Sequence, residues 1–419
     1  SKIMFGNGTE KQYDEGLKYS DDYNAVFSKY NKDNTYLVEG RLFMCLEKES
    51  VIPLMAKGLD TLVTMDCSGC FALANVGSPM AKVLEAFGFK KGSEVITPAL
   101  TFGTSIGCIV KNDLVPVFVD IEPNTFNIDV SKIECMINDK TVAILAPNLM
   151  GNICRWDIIR EIADKYGLIV IEDSADTLGA KYKNKSSGFY SDMSITSFYG
   201  SHIINCAGNG GALMINDDKV MEEAKLLRSW GRSSSLYDEK SEAIENRFNI
   251  DLDGIEYDAK FVFSRIGFNL EGNELGASFG LTQLNKLTNN IKVRQLNFKR
   301  QSDFFSKYPQ FFINPKETEF SETAWLAFPI QLKENIPFTR KEFMIFLEKR
   351  NIQTRVVFTG NINRQPGFIN IEKIVKEEGY PNADYVMRNG ILLPLHHGLT
   401  EDMFIKLHST IELFLKKYL

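Results

Sequence analysis

The chain has 419 residues, which is enough for one large domain and a smaller one. Of these residues 44% are hydrophobic and 24% are charged, as in ordinary globular enzymes, and the net charge of −6 argues against nucleic acid as the main partner. No apolar run approaches the roughly 20 residues that a membrane helix needs, and the N-terminus lacks the apolar core of a signal peptide. We therefore expect a cytoplasmic protein without a membrane partner.

Short β-rich runs alternate with helix-like stretches in the first half of the chain. The last two runs are separated by a helix-like stretch whose apolar residues fall on one face, namely Trp156, Ile159, Ile162, Ala163 and Tyr166. This strand–helix–strand unit predicts an α/β fold with a mostly parallel central sheet. Ligands of such sheets bind at the carboxyl ends of the strands. The predicted strands are Glu94–Thr97, Val115–Asp120, Val142–Pro147 and Leu168–Glu172.

The last third of the chain predicts a smaller α+β domain. A helix in this region starts at a capping box formed by Thr339 and Glu342, and a terminal helix starts near Thr400. We expect residues 1–290 to form a large α/β domain with an N-terminal helical segment, and residues 291–419 to form the small domain. The other predicted elements are a long polar helix or linker and two strands: Asn285–Arg300, Trp325–Leu332 and Ile352–Phe358.

Seven cysteines are scattered through the chain, and only Cys67 and Cys70 have the spacing C-x-x-C. No second pair completes a set of four ligands, which a structural zinc site would need. We therefore expect reduced thiols and no bound metal.

Two motifs lie near the ends of early strands. Ser68, Gly69 and Cys70 precede a predicted helix that begins near Phe71, and the backbone N–H groups of such a helix start can hold a phosphate. The same residues are compatible with a plain turn. Phe102 follows the strand Glu94–Thr97, where its ring can stack on a flat ligand or pack in the core.

Three more motifs follow further along the chain. The strand Leu168–Glu172 runs into Asp173, a carboxylate that is costly to bury unless it is paired, so that a pyridinium nitrogen or a helix N-terminus would suit it. Ser197-Phe198-Tyr199-Gly200-Ser201-His202 precedes a glycine-rich entry into another strand. Asn269 lies before the helix-like stretch Glu274–Leu287.

The order and spacing of these five motifs resemble the DegT-type nucleotide-sugar aminotransferases, which belong to fold type I of the pyridoxal-phosphate enzymes. The resemblance covers roughly residues 35 to 410. It implies a fold type I α/β structure and a cofactor that alternates between pyridoxal and pyridoxamine phosphate. By the resemblance, Asp173 pairs with the pyridine nitrogen and Phe102 stacks on the ring. The phosphate contacts that it implies are Ser197, the amides of Ser68, Gly69 and Cys70, and Asn269 from the neighbouring subunit of a homodimer.

The sequence departs from the family pattern at the position of the cofactor-binding lysine, which is His202. An imidazole forms no stable covalent bond with the cofactor, but it moves protons near neutral pH. One branch of the family has this histidine, namely the 3-dehydratases of 4-keto-6-deoxy sugars. The segment that begins at Asp176, which we count among the cofactor-binding residues, and the segment Thr354–Pro366 also resemble that branch.

The branch contains two kinds of enzyme. One acts on a CDP-sugar and holds an iron–sulfur centre with cysteines after a Trp-Gly-Arg segment. Here Trp230-Gly231-Arg232 is followed by serines, and no cysteine occurs after Cys206, so we expect no cluster and no reductase partner. The chain resembles the other kind, which takes an amino group from L-glutamate. In this comparison Arg232, Arg355 and Arg364 are candidate substrate-binding residues.

The sequence therefore predicts a 3-dehydratase that removes the C3 hydroxyl of a nucleotide-linked 4-keto-6-deoxyhexose, with GDP favoured over CDP and with His202 as the catalytic residue. Two rival functions stay open. A nucleotide-sugar 4-aminotransferase would need the lysine that is missing, and a cofactor-binding regulator without catalysis would not need Asp173, Ser197, Phe102 and Asn269 together.

Overall fold

The computed structural model describes residues 2–5, 35–38, 41–45, 69–73, 80, 84–236, 247–272 and 274–419. For the four stretches before residue 80, and for residue 274, the description covers the backbone alone. Ser68 and Cys67 therefore lie outside the described residues.

A seven-stranded sheet forms the centre of the molecule. Its strands in spatial order are β4, β12, β11, β8, β7, β5 and β6, numbered along the chain. The five strands β11, β8, β7, β5 and β6 are parallel to one another. Strand β12 is antiparallel to both β11 and β4. These strands are β4 (Gly69–Leu73), β5 (Glu94–Pro98), β6 (Val115–Val119), β7 (Thr141–Pro147), β8 (Ile169–Asp173), β11 (Met193–Ser197) and β12 (Gly211–Ile215).

The remaining described strands form smaller sheets, with spatial orders β1-β3-β2, β10-β9-β16, β13-β14 and β15-β17-β18. They are β1 (Lys2–Phe5), β2 (Thr35–Val38), β3 (Arg41–Cys45), β9 (Lys181–Tyr182), β10 (Lys185–Ser186), β13 (Ile250–Leu252), β14 (Ile255–Tyr257), β15 (Phe312–Ile313), β16 (Ser321–Glu322), β17 (Phe328–Leu332) and β18 (Gly390–Leu393).

The α-helices with described bounds are α1 (Gly103–Val110), α2 (Trp156–Tyr166), α3 (Asp218–Arg228), α4 (Glu274–Leu284), α5 (Leu287–Phe305), α6 (Arg340–Glu348), α7 (Pro381–Asn389) and α8 (Glu401–Leu415). In the part of the chain that the structure describes, no helix combines the length and the apolar character that crossing a membrane requires.

Both faces of the central sheet are covered by apolar side chains, because successive residues of a strand point to opposite faces. On β5, Val95 packs into one buried cluster together with α1, and its neighbour Ile96 packs into another together with α2. The strands of such a sheet are buried along their whole length, as β5 and β6 are. Their ends thus become the places where polar side chains meet a ligand.

The small sheet of β15, β17 and β18 packs with α6 and α8 in the C-terminal part. Phe328 of β17, Phe343 of α6 and Phe414 of α8 belong to one buried aromatic cluster. The capping box of Thr339 and Glu342 is confirmed at the start of α6, and Thr400 caps α8. The predicted division at residue 290 stays a prediction, and α5 runs across it.

Three predictions about local structure were wrong. The helix expected near Phe71 is the edge strand β4, which pairs with β12. The strand expected at Ile352–Phe358 is irregular, because Glu348 captures the backbone N–H and the hydroxyl of Thr354 and only Arg355 bridges to β18. Tyr166 was expected on the apolar face of α2, but it is 42% exposed at the last turn of that helix.

Candidate active site

The predicted site residues stand at one edge of the central sheet. Asp173 ends β8 and Ser197 ends β11, while Phe102 follows β5 by a few residues. These three strands are parallel, so their carboxyl ends reach the same edge. The structure thus brings together the acid, the hydroxyl and the aromatic ring that the sequence predicted for the cofactor site.

Asp173 is a buried carboxylate with only two described hydrogen-bond donors to its side chain. The Ser105 hydroxyl donates to Oδ2 at 2.9 Å, and the Ala175 N–H donates to Oδ1 at 3.2 Å. Burial raises the pKa of Asp173, and these two hydrogen bonds only partly oppose that effect. No lysine or arginine among the described residues forms an ion pair with Asp173. A cationic N–H partner such as a protonated pyridine fits this carboxylate.

His202 lies in the loop after β11, and this loop is shaped by its own backbone. The Ser197 hydroxyl accepts from the Tyr199 N–H at 3.3 Å, and the Tyr199 carbonyl accepts from the His202 N–H at 3.0 Å. The loop returns to the sheet at Gly210, whose φ of 154° and close approach to Cys206 leave little room for a side chain. The imidazole is thereby held in the interior, with 16% of its side chain exposed.

His202 faces a second buried carboxylate. Its Nε2 lies 3.6 Å from Oδ1 of Asp176, and Oδ2 of Asp176 accepts from the Met150 N–H at 3.0 Å. Burial, followed by the negative charge of Asp173, raises the pKa of Asp176 to about 7. Burial lowers the pKa of His202 from its ordinary value, an effect that the backbone of Ser197 partly opposes. A carboxyl group whose pKa is raised to about 7 and an imidazole whose pKa is lowered therefore face each other at the sheet edge.

Phe102 presents its ring to solvent at the start of α1, with 53% of the residue exposed. Its described aromatic contact is with Phe358, edge to face at a centroid distance of 5.9 Å. The ring is thus partly open to a flat ligand. The amides predicted to hold a phosphate are less well placed: Gly69 and Cys70 belong to β4 and not to a helix N-terminus. Their assignment as phosphate ligands stays a prediction, as does that of Ser68.

Four other residues predicted for the site have their described contacts with residues other than Asp173, Asp176 and His202. Asn269 is exposed and forms a backbone bridge with Ser229. Arg232 stacks on Trp230, and the Arg355 backbone pairs with Leu392 of β18. Arg364 donates two hydrogen bonds to Asp384, each 2.6 Å long. The roles of Asn269, Arg232, Arg355 and Arg364 stay predictions.

Sequence reasoning missed two residues of the site. Ser105 lies on α1 and reaches Asp173; the run Thr101 to Ser105, rich in small and hydroxyl residues after a strand, was the available signal. Arg294 of α5 is fully buried, and its guanidinium donates to the carbonyls of Trp325 and Leu326. Its positive charge also lowers the pKa of His202. No local pattern marked it, because it lies within a polar helix.

Asn148, which follows β7, is the centre of a buried network beneath the site. Its Nδ2 donates to Glu172 and to Ser174 at 2.9 Å each, and its Oδ1 accepts from the Cys154 N–H and from the Trp156 indole. Burial raises the pKa of Glu172 to about 7. The network joins the ends of β7 and β8 and so fixes the position of the turn that carries Asp173 and Asp176.

No group of three or more histidine, cysteine or acidic side chains could hold a metal ion among the residues whose side chains are described. Cys45, Cys67 and Cys70 lie outside that set. The expectation that the protein binds no iron stays a prediction.

Comparison with known proteins gives consistent matches. The profile of the DegT/DnrJ/EryC1/StrS aminotransferase family matches residues 65–412. The lipopolysaccharide biosynthesis protein RfbH of Salmonella typhimurium is 33% identical over 369 residues, covering 88% of this chain and 83% of that protein. GDP-4-keto-6-deoxy-D-mannose 3-dehydratase of Yersinia pseudotuberculosis is 30% identical over 309 residues, covering 74% of this chain and 76% of that protein.

A solved structure of GDP-4-keto-6-deoxymannose-3-dehydratase with a trapped PLP–glutamate geminal diamine superposes on the chain with a TM-score of 0.78. Its sequence is 23% identical, and the match covers 93% of this chain and 97% of that structure. This likeness confirms the predicted fold, a fold type I α/β structure around a mostly parallel sheet.

Proposed function

The chain belongs to the DegT/DnrJ/EryC1/StrS aminotransferase family, and on this premise we propose that it is a 3-dehydratase of a nucleotide-linked 4-keto-6-deoxyhexose. The enzyme removes the C3 hydroxyl of the sugar and uses L-glutamate as amino donor. The observation that carries the proposal is the placement of His202. It stands in the loop after β11, beside Asp176, at the position where the family's aminotransferases have a lysine.

Pyridoxal phosphate, in its aldehyde and amine forms, is the cofactor. Asp173 fits the protonated pyridine nitrogen, because it is buried with only the Ser105 hydroxyl and the Ala175 N–H as donors. Phe102 has a half-exposed ring for stacking, and Ser197 lies at the end of β11 for the phosphate. When bound, the cofactor supplies an electron sink that stabilises negative charge on an adjacent carbon.

His202 is the residue that moves the proton. Its pKa lies below the ordinary value because the ring is buried, so the imidazole is neutral and ready to accept a proton at neutral pH. After it has accepted the proton, the imidazolium can give it to the departing hydroxyl. One residue thereby serves as base and then as acid, which elimination of water requires.

The substrate class is supported by the relatives. A 3-dehydratase of a GDP-linked 4-keto-6-deoxy sugar is 30% identical to the chain, and RfbH is named for lipopolysaccharide biosynthesis. The absence of cysteine after Cys206 favours the kind that works without an iron–sulfur centre and a reductase. We therefore place GDP before CDP as the nucleotide, and a deoxysugar of a surface polysaccharide as the end use.

We propose that the enzyme is a homodimer with a shared site. One segment exposes an unusual number of large apolar side chains, and Asn269 lies within it. Such a surface marks a protein interface, and a second copy of the chain is the occupant that would bring Asn269 to a neighbouring phosphate. The exposed side chains are Phe248, Leu252, Ile255, Tyr257, Phe261, Phe263, Ile266, Phe268, Leu275 and Phe279.

A 4-aminotransferase is the second candidate, favoured by the name of the family itself. Both reactions produce 2-oxoglutarate from glutamate, but only the dehydratase releases ammonia, because the aminotransferase leaves the nitrogen on the sugar. The purified protein should be incubated with cofactor, glutamate and GDP-, CDP- or dTDP-linked 4-keto-6-deoxy sugars. We expect one ammonia for each 2-oxoglutarate with one of these sugars. Formation of 2-oxoglutarate without ammonia would support the aminotransferase, and neither product would support a regulator.

A further inference from the structure

Asp176 and His202 come from different loops and meet at the edge of the sheet. Asp176 lies in the turn after β8, and its Oδ2 is fixed by the Met150 N–H from the loop after β7. The second oxygen, Oδ1, is directed to Nε2 of His202 at 3.6 Å. Both side chains are largely buried, with 9% and 16% of their surfaces exposed. One carboxylate oxygen is thus anchored to the scaffold while the other faces the imidazole.

The charged and polar groups around this pair are few. Asp173 adds a negative charge on the side of Asp176, and Arg294 of α5 adds a positive charge on the side of His202. The ring of Tyr199 meets the imidazole edge to face at a centroid distance of 6.1 Å. The backbone of Ser197 also acts on the imidazole and raises its pKa against the effect of burial. Among the described residues, Asp176 is the carboxylate in ion-pair range of the imidazole.

We propose that Asp176 is a positioning residue for His202, which holds the ring toward the reacting atoms and stabilises the imidazolium each time His202 takes up a proton. This inference rests on the proposed function, in which His202 accepts one proton from carbon and returns it to the leaving hydroxyl. The pair then ends each turnover in the protonation state in which it began. A buried imidazolium without a counter-charge would be costly, since burial of an unpaired charge is disfavoured.

Burial opposes the charged form of both groups in the pair. It raises the pKa of Asp176 to about 7 and lowers the pKa of His202 from its ordinary value. The anchored oxygen of Asp176 fixes the geometry, so that the transfer needs no movement of the carboxylate.

The test is a proton titration of His202 by NMR in the full chain, before and after addition of pyridoxamine phosphate. The chain has only four histidines, so isotope-labelled histidine gives four signals, and His202→Asn identifies the one of interest. Asp176→Asn should lower the pKa of His202 by about 1 or more, because the imidazolium loses its counter-charge. Asp157→Asn is the matched control: Asp157 binds Tyr182 and Lys183, and its loss should leave the His202 signal unchanged.

Activity gives a second measurement that a merely structural role would not affect. Asp176→Asn should move the acidic limb of the pH–rate profile to lower pH, and Asp176→Glu should restore part of the rate. If Asp176→Asn does not fold, the wild-type titration decides, because His202 must then show two inflections as the pair loses its protons. An unchanged His202 titration in the Asn variant, or a single inflection in the wild type, would overturn the inference. A shifted titration in a protein that releases no ammonia from any sugar would leave the pair intact and refute the proposed function.

Discussion

An amine and an imidazole at position 202 differ in what they can do with the cofactor. A lysine forms a Schiff base with the aldehyde carbon, whereas an imidazole forms no stable one and can move a proton. We propose that His202 leaves the cofactor held by non-covalent contacts, among them those of Asp173 and Phe102. On this proposal, the side chain at position 202 decides between transferring an amino group and eliminating water.

The missing lysine at position 202 predicts that the cofactor is not bound covalently. Borohydride treatment of the protein loaded with pyridoxal phosphate should leave the intact mass of the chain unchanged, because no lysine occupies position 202. Intact-protein mass spectrometry checks this. A mass increase equal to one reduced cofactor, mapped to a lysine near the site, would contradict the assignment.

Replacement of the imidazole tests its role as the proton carrier. His202→Asn should bind the cofactor with affinity close to that of the wild type and should lose roughly 10²- to 10⁴-fold in turnover, since the amide keeps the shape but not the titratable proton. His408→Asn is the control: His408 stacks on Phe304 at 3.9 Å in the C-terminal part and should keep full turnover. Absorbance titration measures cofactor binding, and ammonia release measures turnover. Full activity of His202→Asn would refute the role.

The pH dependence follows from the sign of the His202 shift. The base must be neutral, and its pKa is lowered below 6.5, so turnover should fall only as the pH falls below about 6.5. The neutral imidazole also favours the folded state, so stability is lost as the pH decreases through the same range. A pH–rate profile measured between pH 5 and 9 checks this expectation. An acidic limb centred above about pH 8 would mean that another group is the base.

At the scale of elements, the network of Asn148 ties the end of β7 to the end of β8. Asn148→Asp would place a second carboxylate beside Glu172 and remove both Nδ2 donors. We expect a loss of about 2–4 kcal/mol in the free energy of unfolding. The loss should be larger at pH 8 than at pH 6, because the pKa of Glu172 is about 7 and the repulsion needs both charges.

Urea unfolding at the two pH values measures this effect, with Asn335→Asp as the control, since Asn335 lies in an exposed turn. An Asn148→Asp variant as stable as the wild type at pH 8 would show that the network does not hold the turn.

The sequence predicted elements wherever a local pattern sets the structure. The buried strands β5 to β8 follow from continuous apolar runs, and α2 from its apolar spacing together with Gly167, which ends it at a φ of 65°. The segment Ile352–Phe358 has the residue types of a strand, but the side chain of Glu348 captures Thr354, and a φ of 43° at Phe358 ends any extended run. This capture joins side chains only six positions apart, but the residue types in the segment do not indicate it.

The same distinction applies to the site. The positions of Asp173 and Phe102 at the sheet edge could be predicted because each follows a strand that the sequence indicates, whereas Ser197 was identified from the family resemblance. The approach of Asp176 to His202 could not be predicted, since it depends on the order of β8 and β11 in the sheet and on the Met150 N–H from a third loop. Arg294 was missed for the same reason, because its burial is decided by the packing of α5.

At the scale of the whole molecule, the exposed apolar segment around Asn269 predicts a dimer on which activity depends. Ile266 is 90% exposed, and Phe263 is 56% exposed. The double variant Phe263→Asp, Ile266→Asp should be monomeric and inactive, because charges at an apolar interface oppose association. Light scattering and ammonia release measure the two properties. Ile369→Asp, at an isolated residue that is 53% exposed, is the control and should stay dimeric. A fully active monomer would contradict the shared site.

We propose that this family member eliminates a hydroxyl and does not transfer an amino group. Mass spectrometry of the sugar product formed from glutamate and a 4-keto-6-deoxy nucleotide sugar in deuterated water tests it most directly. We expect a product that has lost the C3 oxygen, keeps its C4 ketone and carries one solvent deuterium at C3, since His202 drives elimination and water then supplies the new hydrogen. A 4-amino sugar that keeps its C3 oxygen would contradict it.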